Sequence, residues 1–385
     1  MKPHAVFAGM DKWYMNHTAR GMASRGALDG LWVSNRNRFG IDPGRFRRVW
    51  PYHWAQKLFY HSGLIDLEER MRWRNLPAYD WWLSAQKLPG STNVVHAPMG
   101  SCLPLFELAA RSGRRILKVF DAPNSHPRSL KRIWQGECDR FHPGYRIPIP
   151  DRAFDRMERE LKVADMVLCP SLFVRDSMVA EGVPERKCFV NHFGVDTSVF
   201  TRRSEAPAKP VFVCVGSITL RKGHQYLFQA FEDVKARLPE AELIVVGGTR
   251  PDFAALWPRW QGKFTHHVSL THPQINAIFQ RSTAFVLPSL EEGFARVLSE
   301  AMGAGLPILA TYESGATTVV EDGKQGFIVP AGSPEILKDR MLELAADPDR
   351  NQAMGEAAWM AGGVRNTWDD YAGRLHQEYQ RRLNS

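Results

Sequence analysis

Residues 211–248 read VFVCVGSITLRKGHQYLFQAFEDVKARLPEAELIVVGG and decide the fold class. The segment opens with VFVCV and closes with ELIVV, and short β-branched runs of this kind are typical of buried strands. Between them, GHQYLFQAFEDVKARLP has the apolar spacing of an amphipathic helix. A strand, a helix and a second strand in this order predict a parallel sheet covered by helices.

The same alternation extends in both directions along the chain. Strand-like runs include NVVHA, RRILKVF and DMVLCPS upstream, and AFVLPS, LPILAT and GFIVP downstream. Residues 201–210, TRRSEAPAKP, have no apolar periodicity and contain two prolines, so we interpret them as a linker. A chain of 385 residues is long enough for two domains. We therefore predict an α/β protein with two doubly wound, Rossmann-like domains, residues 1–205 and 206–365.

Charge is distributed unevenly between these two predicted domains. Of 50 Lys and Arg and 41 Asp and Glu, residues 1–205 hold 32 and 21, which gives +11, and the remaining 18 and 20 give −2. A basic first half predicts an anionic partner there, such as a lipid-linked acceptor or an anionic membrane surface. A nucleic acid is the weaker alternative, because no helix-turn-helix, RNA-recognition or zinc pattern supports it.

Cysteine usage and hydropathy indicate a cytoplasmic protein. The five cysteines are odd in number, widely spaced and without a Cys-x-x-Cys pair, so a disulfide framework is not expected. The first residues lack the apolar core of a signal peptide. No run of about 18 apolar residues occurs. We expect a cytoplasmic location, with peripheral attachment at the inner face of a membrane as an open alternative.

An aromatic and basic region covers residues 36–82. It forms either a core with solvated arginines or a surface that binds an acceptor or an interface. Its tryptophans and arginines are Trp50, Trp54, Trp73, Trp81, Trp82, Arg45, Arg47, Arg48, Arg70, Arg72 and Arg74.

Two carboxylates flank the predicted start of a helix in LEEGFARVLSEAMGAGLP, residues 290–307. Glu292 precedes the helix and Glu300 lies on its second turn. Eight residues of helix rise about 12 Å, which fits a glycosidase acid pair at ~5–9.5 Å poorly. The bare N–H groups of a helix start bind anions. A carboxylate on each side of an anion site suits a ligand in which a diphosphate lies between a sugar and a ribose.

A second candidate for phosphate binding lies in VCVGSITLRKGH. Gly216 ends a strand, and the adjacent cations Arg221 and Lys222 occupy the turn before the next helix. Such a pair of cations can clamp a diphosphate. A solvated basic turn is the alternative, and the nearby Glu292–Glu300 element favours the phosphate site.

These motifs resemble those of the retaining family 4 glycosyltransferases of the GT-B fold. EEGFARVLSEAMGAGLPILAT is similar to the E-x7-E signature of that family, and VGSITLRKG is similar to its diphosphate-binding turn. TWDDYAGRLHQEYQ, within residues 366–385, resembles the last helix of the family, which crosses back onto the first domain. The resemblance is strong from about Ala164 to Gly332 and at the carboxy terminus, and weak before Asn93.

The resemblance implies a role for each matching residue. Glu292 would hold hydroxyls of the donor sugar, and Glu300 the ribose hydroxyls. The loop near Val268 to Thr271 would take the base. The diphosphate would be cradled by Arg221 and Lys222 and by the backbone of Gly293, Phe294, Ala295, Arg296 and Val297. The first domain would bind the acceptor.

The sequence departs from the family pattern at Ser217, where many members have arginine, and at Ala295, where glycine is common. The glycine-rich loop after the first strand is missing. In this family a histidine of the first domain often approaches the sugar. Asp121 and His126, at the end of ILKVFDAPNSHP, are the candidates here, with His96 ranked lower; a buried aspartate and a satisfied loop histidine are the alternatives.

The resemblance predicts a hexosyltransferase that retains the anomeric configuration and uses a UDP- or GDP-sugar as co-substrate. We expect no metal, because no Asp-x-Asp motif is present, and no other cofactor. A non-catalytic subunit that binds a nucleotide sugar is the main rival interpretation.

Overall fold

The computed structural model describes residues 1–10, 14–34, 36–37, 39–49, 73–196, 198–205, 207–363 and 366–385. Most of the aromatic and basic region, including Trp50, Trp54, Arg70 and Arg72, lies outside the described residues. No helix within the described ranges combines the length and the apolarity needed to cross a membrane.

The first domain is built on a seven-stranded parallel sheet with the order β3-β2-β1-β4-β5-β6-β7. The order reverses direction between β1 and β4, which is the switch point of a doubly wound sheet. The strands are β1 (Ala5–Gly9), β2 (Leu28–Val33), β3 (Phe46–Arg48), β4 (Val94–Pro98), β5 (Leu117–Asp121), β6 (Met166–Cys169) and β7 (Cys188–Val190).

Helices cover both faces of this sheet. Its central strands β1 and β4 are therefore buried along their whole length. The helices in the described part of this domain are α1 (Tyr14–Ser24), α2 (Leu76–Ser84), α3 (Leu103–Arg111), α4 (Pro127–Phe141), α5 (Asp151–Val163) and α6 (Leu172–Ala180), with a 3₁₀ turn at Glu185–Lys187.

The second domain repeats this plan with a six-stranded parallel sheet of order β10-β9-β8-β11-β12-β13. Its strands are β8 (Val211–Val215), β9 (Glu242–Val246), β10 (Thr265–His267), β11 (Ala284–Leu287), β12 (Ile308–Thr311) and β13 (Gly326–Val329). Its helices are α7 (His224–Arg237), α8 (Trp257–Trp260), α9 (His272–Gln280), α10 (Arg296–Gly303), α11 (Pro334–Ala346) and α12 (Pro348–Ala358). Short turns of 3₁₀ or π helix occupy Pro251–Phe253, Tyr312–Ser314, Ala316–Thr318 and Trp359–Gly363. The predicted fold class, two doubly wound α/β domains, is confirmed.

The last helix, α13 (Trp368–Asn384), packs on the first domain although it follows the second in sequence. One side of this helix is apolar, and its residues Tyr371, Leu375 and Tyr379 are all buried. Tyr379 donates or accepts a hydrogen bond with Nδ1 of His96 on β4, with the two atoms 2.5 Å apart.

The predicted linker is attached to the second domain by a buried arginine. The guanidinium of Arg203 donates to the backbone oxygen of Ser282 at 2.6 Å and to Oδ1 of Asn351 at 2.5 Å. Burial lowers the pKa of Arg203 to about 10. Composition identified this segment as irregular but gave no sign that one of its arginines is buried.

The two domains are in contact beside the cleft that separates their sheets. Trp134 on α4 donates from Nε1 to Oδ2 of Asp252 at 2.9 Å. Glu137, one turn further, accepts from Nε2 of Gln225 at 2.8 Å and from the hydroxyl of Tyr226 at 3.0 Å. The helix α4 therefore fixes one edge of the first domain onto the start of α7.

Candidate functional site

The cleft contains a cavity of about 440 Å³, which we call the donor cavity after the ligand that the sequence predicts for it. Its lining comes from both domains and includes the loops that follow β5, β8 and β11, at the carboxyl ends of parallel strands, where doubly wound folds bind ligands. Predicted residues that line it are Gly216, Arg221, Lys222, Glu292, Phe294, Ala295, Arg296, Val297 and Glu300.

The start of helix α10 supplies an anion site in this cavity. Ala295 is the residue before the helix, its backbone is extended, and no side chain caps the first turn. The free N–H groups at this end carry the positive end of the helix dipole. The helix therefore starts after Glu292, as predicted. Its start lies at the cavity, because both Ala295 and Val297 line it.

Glu292 and Lys222 form an ion pair on the wall of the donor cavity. The Lys222 ammonium lies 3.1 Å from Oε2 of Glu292, and each side chain is only 16% exposed. Burial alone would raise the pKa of Glu292, but the charges of Lys222 and Arg221 outweigh it and hold the pKa below its ordinary value. The carboxylate is therefore ionised at neutral pH and ready to accept hydrogen bonds from hydroxyl groups.

The close approach of Lys222 also explains Gly216. A Cβ at this position would lie 2.9 Å from the Lys222 ammonium nitrogen, and φ of Gly216 is +148°, a value that favours glycine. Ser217, the next residue, lines a neighbouring smaller cavity instead of the donor cavity. No arginine occupies the position of Ser217, and Arg221 supplies a guanidinium from the same turn.

A third acid, Glu291, was missed from the sequence and organises this turn. It is fully buried, and its Oε2 accepts from Nη1 of Arg221 at 2.7 Å. Its other oxygen accepts from the backbone N–H of Ser125 in the first domain at 2.9 Å, and the side-chain amide of Asn124 donates to Oε2 at 3.2 Å. Arg221 is therefore held by a buried carboxylate that faces the first domain, whereas the carboxylate beside Lys222, Glu292, itself lines the donor cavity.

Glu300 lies at the far end of the donor cavity. Its Oε1 is 2.9 Å from Nε of Arg296, one turn earlier on α10. Burial raises the pKa of Glu300 above its ordinary value, against the opposing charges of Arg296 and His272. His272 and Ile275, at the start of α9, line this end, whereas Val268 is 69% exposed and outside the lining. The lining at this end therefore begins at His272, directly after the loop Val268 to Thr271 for which the sequence predicts base binding.

The loop after β5 brings the first domain to the donor cavity, but through residues that were not predicted. Pro123 and Asn124 line the cavity. The loop is so close to Gly293 that a Cβ there would lie 1.8 Å from the backbone oxygen of Pro123. Gly293 therefore allows the two domains to meet, in addition to opening the turn before α10.

Asp121 and His126 flank this loop and are buried away from the lining. Oδ2 of Asp121 lies 3.1 Å from Nε2 of His96, which joins the carboxylate to the buried His96–Tyr379 contact. His126 is the capping residue of α4, where its Nδ1 accepts from the backbone N–H of Arg128 at 3.2 Å. Burial lowers the pKa of His126. Both side chains hold the loop in place, and the geometry brings neither of them to the donor cavity.

No group of three or more His, Cys, Asp or Glu side chains with the geometry of a metal site occurs among the described residues. The positive charges that the chain itself places around the cavity are Lys222, Arg221, Arg296 and the start of α10.

Part of the chain is similar in sequence to known proteins. Residues 198–359 match the family described as glycosyl transferases group 1. Sulfoquinovosyl transferase SQD2 of Arabidopsis thaliana is 26% identical over 214 residues, 51% of this chain and 41% of that protein. A GDP-mannose-dependent alpha-(1-6)-phosphatidylinositol monomannoside mannosyltransferase of Mycobacterium tuberculosis is 29% identical over 211 residues, 47% and 53% of the two chains. The chain thus spans about half the length of these relatives.

A solved structure extends the likeness to the whole chain. Sucrose-phosphate synthase from Thermosynechococcus elongatus superposes with a TM-score of 0.71 over 100% of both chains, at 17% identity. The fold is therefore GT-B, as predicted. Residues 198–359, which contain the Glu292–Glu300 element, are the part of the chain that matches the group 1 glycosyltransferase family.

Proposed function

We propose that the protein is a retaining glycosyltransferase that moves a hexose-type sugar from a nucleotide sugar to a hydroxyl group of an acceptor. One observation carries the proposal: a single cavity joins an ionised carboxylate, a cation beside an uncapped helix start, and a second carboxylate. In this order they match the sugar, the diphosphate and the ribose of such a donor.

The donor is proposed to lie along helix α10. Glu292 accepts hydrogen bonds from the sugar hydroxyls, and the first N–H groups of α10 bind the diphosphate. Lys222 turns from Glu292 toward the β-phosphate, with Arg221 behind it. Glu300 accepts from the ribose hydroxyls, and His272 and Ile275 flank the base.

The proposed reaction breaks the bond between the anomeric carbon and the diphosphate oxygen and forms a bond from that carbon to the acceptor oxygen. The departing diphosphate takes the acceptor proton on the same face of the sugar, which retains the configuration. This chemistry needs no protein nucleophile in contact with the anomeric carbon. The chain contributes position and charge: Lys222 and the helix start stabilise the negative charge that develops on the diphosphate.

A metal ion is not required in this proposal, because fixed positive charges of the chain face the diphosphate. The second relative has a name that specifies a GDP-mannose donor, so GDP- and UDP-sugars are the donors to test first. The acceptor binds on the side of the first domain, where Asn124 faces the cavity. We place the enzyme in the cytoplasm, where nucleotide sugars are its co-substrates.

A thermal-shift screen against UDP-, GDP- and ADP-sugars, with and without EDTA, tests the proposal. A ligand at 100 times its Kd adds about 2.7 kcal/mol to the free energy of unfolding. The stabilising donor is then incubated with candidate acceptors, and the anomeric configuration of the product is read by NMR. Binding without transfer or donor hydrolysis favours the rival, a non-catalytic subunit. Inversion, or a loss of activity in EDTA, contradicts the mechanism.

A further inference from the structure

We propose that a cavity lined by three arginines in the first domain binds a phosphate group of the acceptor. This arginine cavity has a volume of about 280 Å³ and is lined by Arg74, Arg146, Ile147, Pro148, Pro150 and Arg152. The inference deepens the proposed function and rests on it, because it assigns a chemical class to the acceptor.

Among the residues that the structure describes, few acids offset the charge of the arginine cavity. Within the described residues, the side chains of Arg74 and Arg152 have no hydrogen-bond or ion-pair partner. Arg146 lies 3.3 Å from Oδ1 of Asp139, but both side chains are mostly exposed, so the pair is weak. The nearest acid in sequence, Asp151, is 80% exposed and paired with Lys131 at 2.7 Å.

Guanidinium groups beside an apolar floor suit an anionic ligand such as a phosphate ester. Arginine presents several N–H donors in a planar fork that matches the oxygens of a phosphate. Ile147, Pro148 and Pro150 supply the floor, and the first two are buried. Pro150 and Arg152 stand at the start of α5, so the positive end of that helix adds to the same field.

A second cavity adjoins both the arginine cavity and the donor cavity. It has a volume of about 180 Å³ and shares Pro148 with the arginine cavity. It shares Asn124, Arg221 and Lys222 with the donor cavity. An acceptor that lies across this second cavity would therefore reach from the three arginines to the diphosphate of the donor.

The second cavity has the composition of a sugar or polyol site. Trp134 and Tyr145 contribute aromatic surface, which suits the apolar faces of such a ligand. Ser217, Thr219 and Arg250 contribute groups that hydrogen-bond with hydroxyls. Ser217 thus lines the second cavity, on the side of the acceptor, where an arginine would add charge and bulk.

The phosphate can belong to a soluble phosphate ester or to a lipid headgroup, and matched probes distinguish the two. Glycerol 3-phosphate serves as the soluble probe. Vesicles of phosphatidylcholine with phosphatidylglycerol serve as the lipid probe, and pure phosphatidylcholine vesicles as the neutral reference. All titrations are run with the donor cavity saturated by UDP or GDP, so that the probe phosphate does not report on Lys222.

The test compares two triple variants with the same loss of charge. The cavity variant carries Arg74→Gln, Arg146→Gln and Arg152→Gln. The control carries Arg115→Gln, Arg186→Gln and Arg237→Gln, three exposed residues outside the cavity linings. Because all six side chains are exposed, both proteins are expected to fold, which a melting curve checks.

The wild type and the control are expected to bind at least one of the two probes. The cavity variant is expected to bind that probe about tenfold or more weakly, because it lacks the charge-assisted hydrogen bonds of the three arginines. Nucleoside diphosphate affinity stays the same in all three proteins. The inference is overturned if the wild type binds neither probe, or if both variants lose probe affinity equally. In either case, binding of UDP or GDP still supports the proposed function. Failure of UDP and GDP to bind the wild type overturns both.

Discussion

The carboxylate of Glu291 lies 2.7 Å from Nη1 of Arg221 and at the same time accepts a hydrogen bond from the backbone N–H of Ser125, at 2.9 Å. One buried acid therefore connects a cation of the second domain to a loop of the first. Because the same loop lines the donor cavity through Asn124, the pair couples the position of Arg221 to the closure of the cleft.

Replacement of Glu291 by alanine is expected to destabilise the protein by ~3 kcal/mol, the lower end of the cost of a broken buried ion pair, because Arg221 keeps a weaker contact with Glu292 at 3.8 Å. Glu291→Gln keeps the shape and the Ser125 contact and should cost less. Urea unfolding curves measure both. Glu205→Gln, at an exposed position, is the control, and a Glu291→Ala protein as stable as this control would show that the contact contributes little.

Removal of Glu300 is expected to weaken the binding of a nucleotide sugar and of the free nucleoside diphosphate equally, because both contain the ribose. The loss of a charged acceptor costs ~1.5–3 kcal/mol, roughly 10- to 150-fold in Kd. Isothermal titration of Glu300→Ala with both ligands measures it. Normal affinity for the free nucleoside diphosphate would remove Glu300 from the ribose site.

Glu292→Ala should behave differently, because its proposed partner is the sugar. Turnover falls, while affinity for the free nucleoside diphosphate is retained or improves, since the Lys222 ammonium is released from its ion pair. A parallel loss of nucleoside diphosphate affinity would contradict the proposed direction of the donor along α10.

The second domain could be predicted from sequence in more detail than the first. The strand VFVCV, the turn at Gly216 and the helix start beside Ala295 are local features, and residues within about ten positions determine them. Glu291 was missed because its neighbour Glu292 carries the recognisable motif. Nothing local distinguishes the carboxylate that faces the other domain.

The side of the first domain could not be predicted to the same depth. Asp121 and His126 were chosen because they follow a strand, yet their side chains bond to His96 and to the first turn of α4. The intervening Pro123 and Asn124 face the cavity instead. Which residues of a loop point inward depends on the packing of α4 and α13, and this is a long-range property of the fold.

Lys222→Ala is expected to discriminate between ligands with and without phosphate. Binding of the nucleoside diphosphate weakens by ~1.5–3 kcal/mol with the loss of a charge-assisted contact, whereas binding of the bare nucleoside changes little. Lys209→Ala, at an exposed position of the linker, is the control. Equal losses for the two ligands would mean that the variant damages the fold of the turn.

Nucleoside diphosphate affinity is expected to depend on pH through Glu300. Because burial raises the pKa of Glu300, acidification protonates it before an ordinary glutamate, and affinity falls as the carboxylate is lost. The contribution of Glu300 to the stability of the free protein changes with pH in the opposite direction. Between the ordinary and the raised pKa the folded state holds a proton that the unfolded state has released, so stability from this group decreases as pH rises. Titrations between pH 4 and 7 should show a slope that is reduced in Glu300→Gln; an unchanged slope assigns the dependence to another group.

Gly293→Ala is expected to separate nucleotide binding from sugar transfer. A Cβ at this position would lie 1.8 Å from the backbone oxygen of Pro123, so the loop of the first domain must move away. The nucleotide contacts belong to the second domain and should persist, whereas transfer should fall by ~10² or more, as a displacement of about 1 Å can cause. Titration, a transfer assay and small-angle scattering measure the three effects.

Gly136→Ala is the matched control, because it lies within α4 with nothing within 4 Å of its Cβ and should gain up to ~1 kcal/mol of helix stability. Full transfer activity in Gly293→Ala would show that catalysis does not need the contact between Gly293 and Pro123.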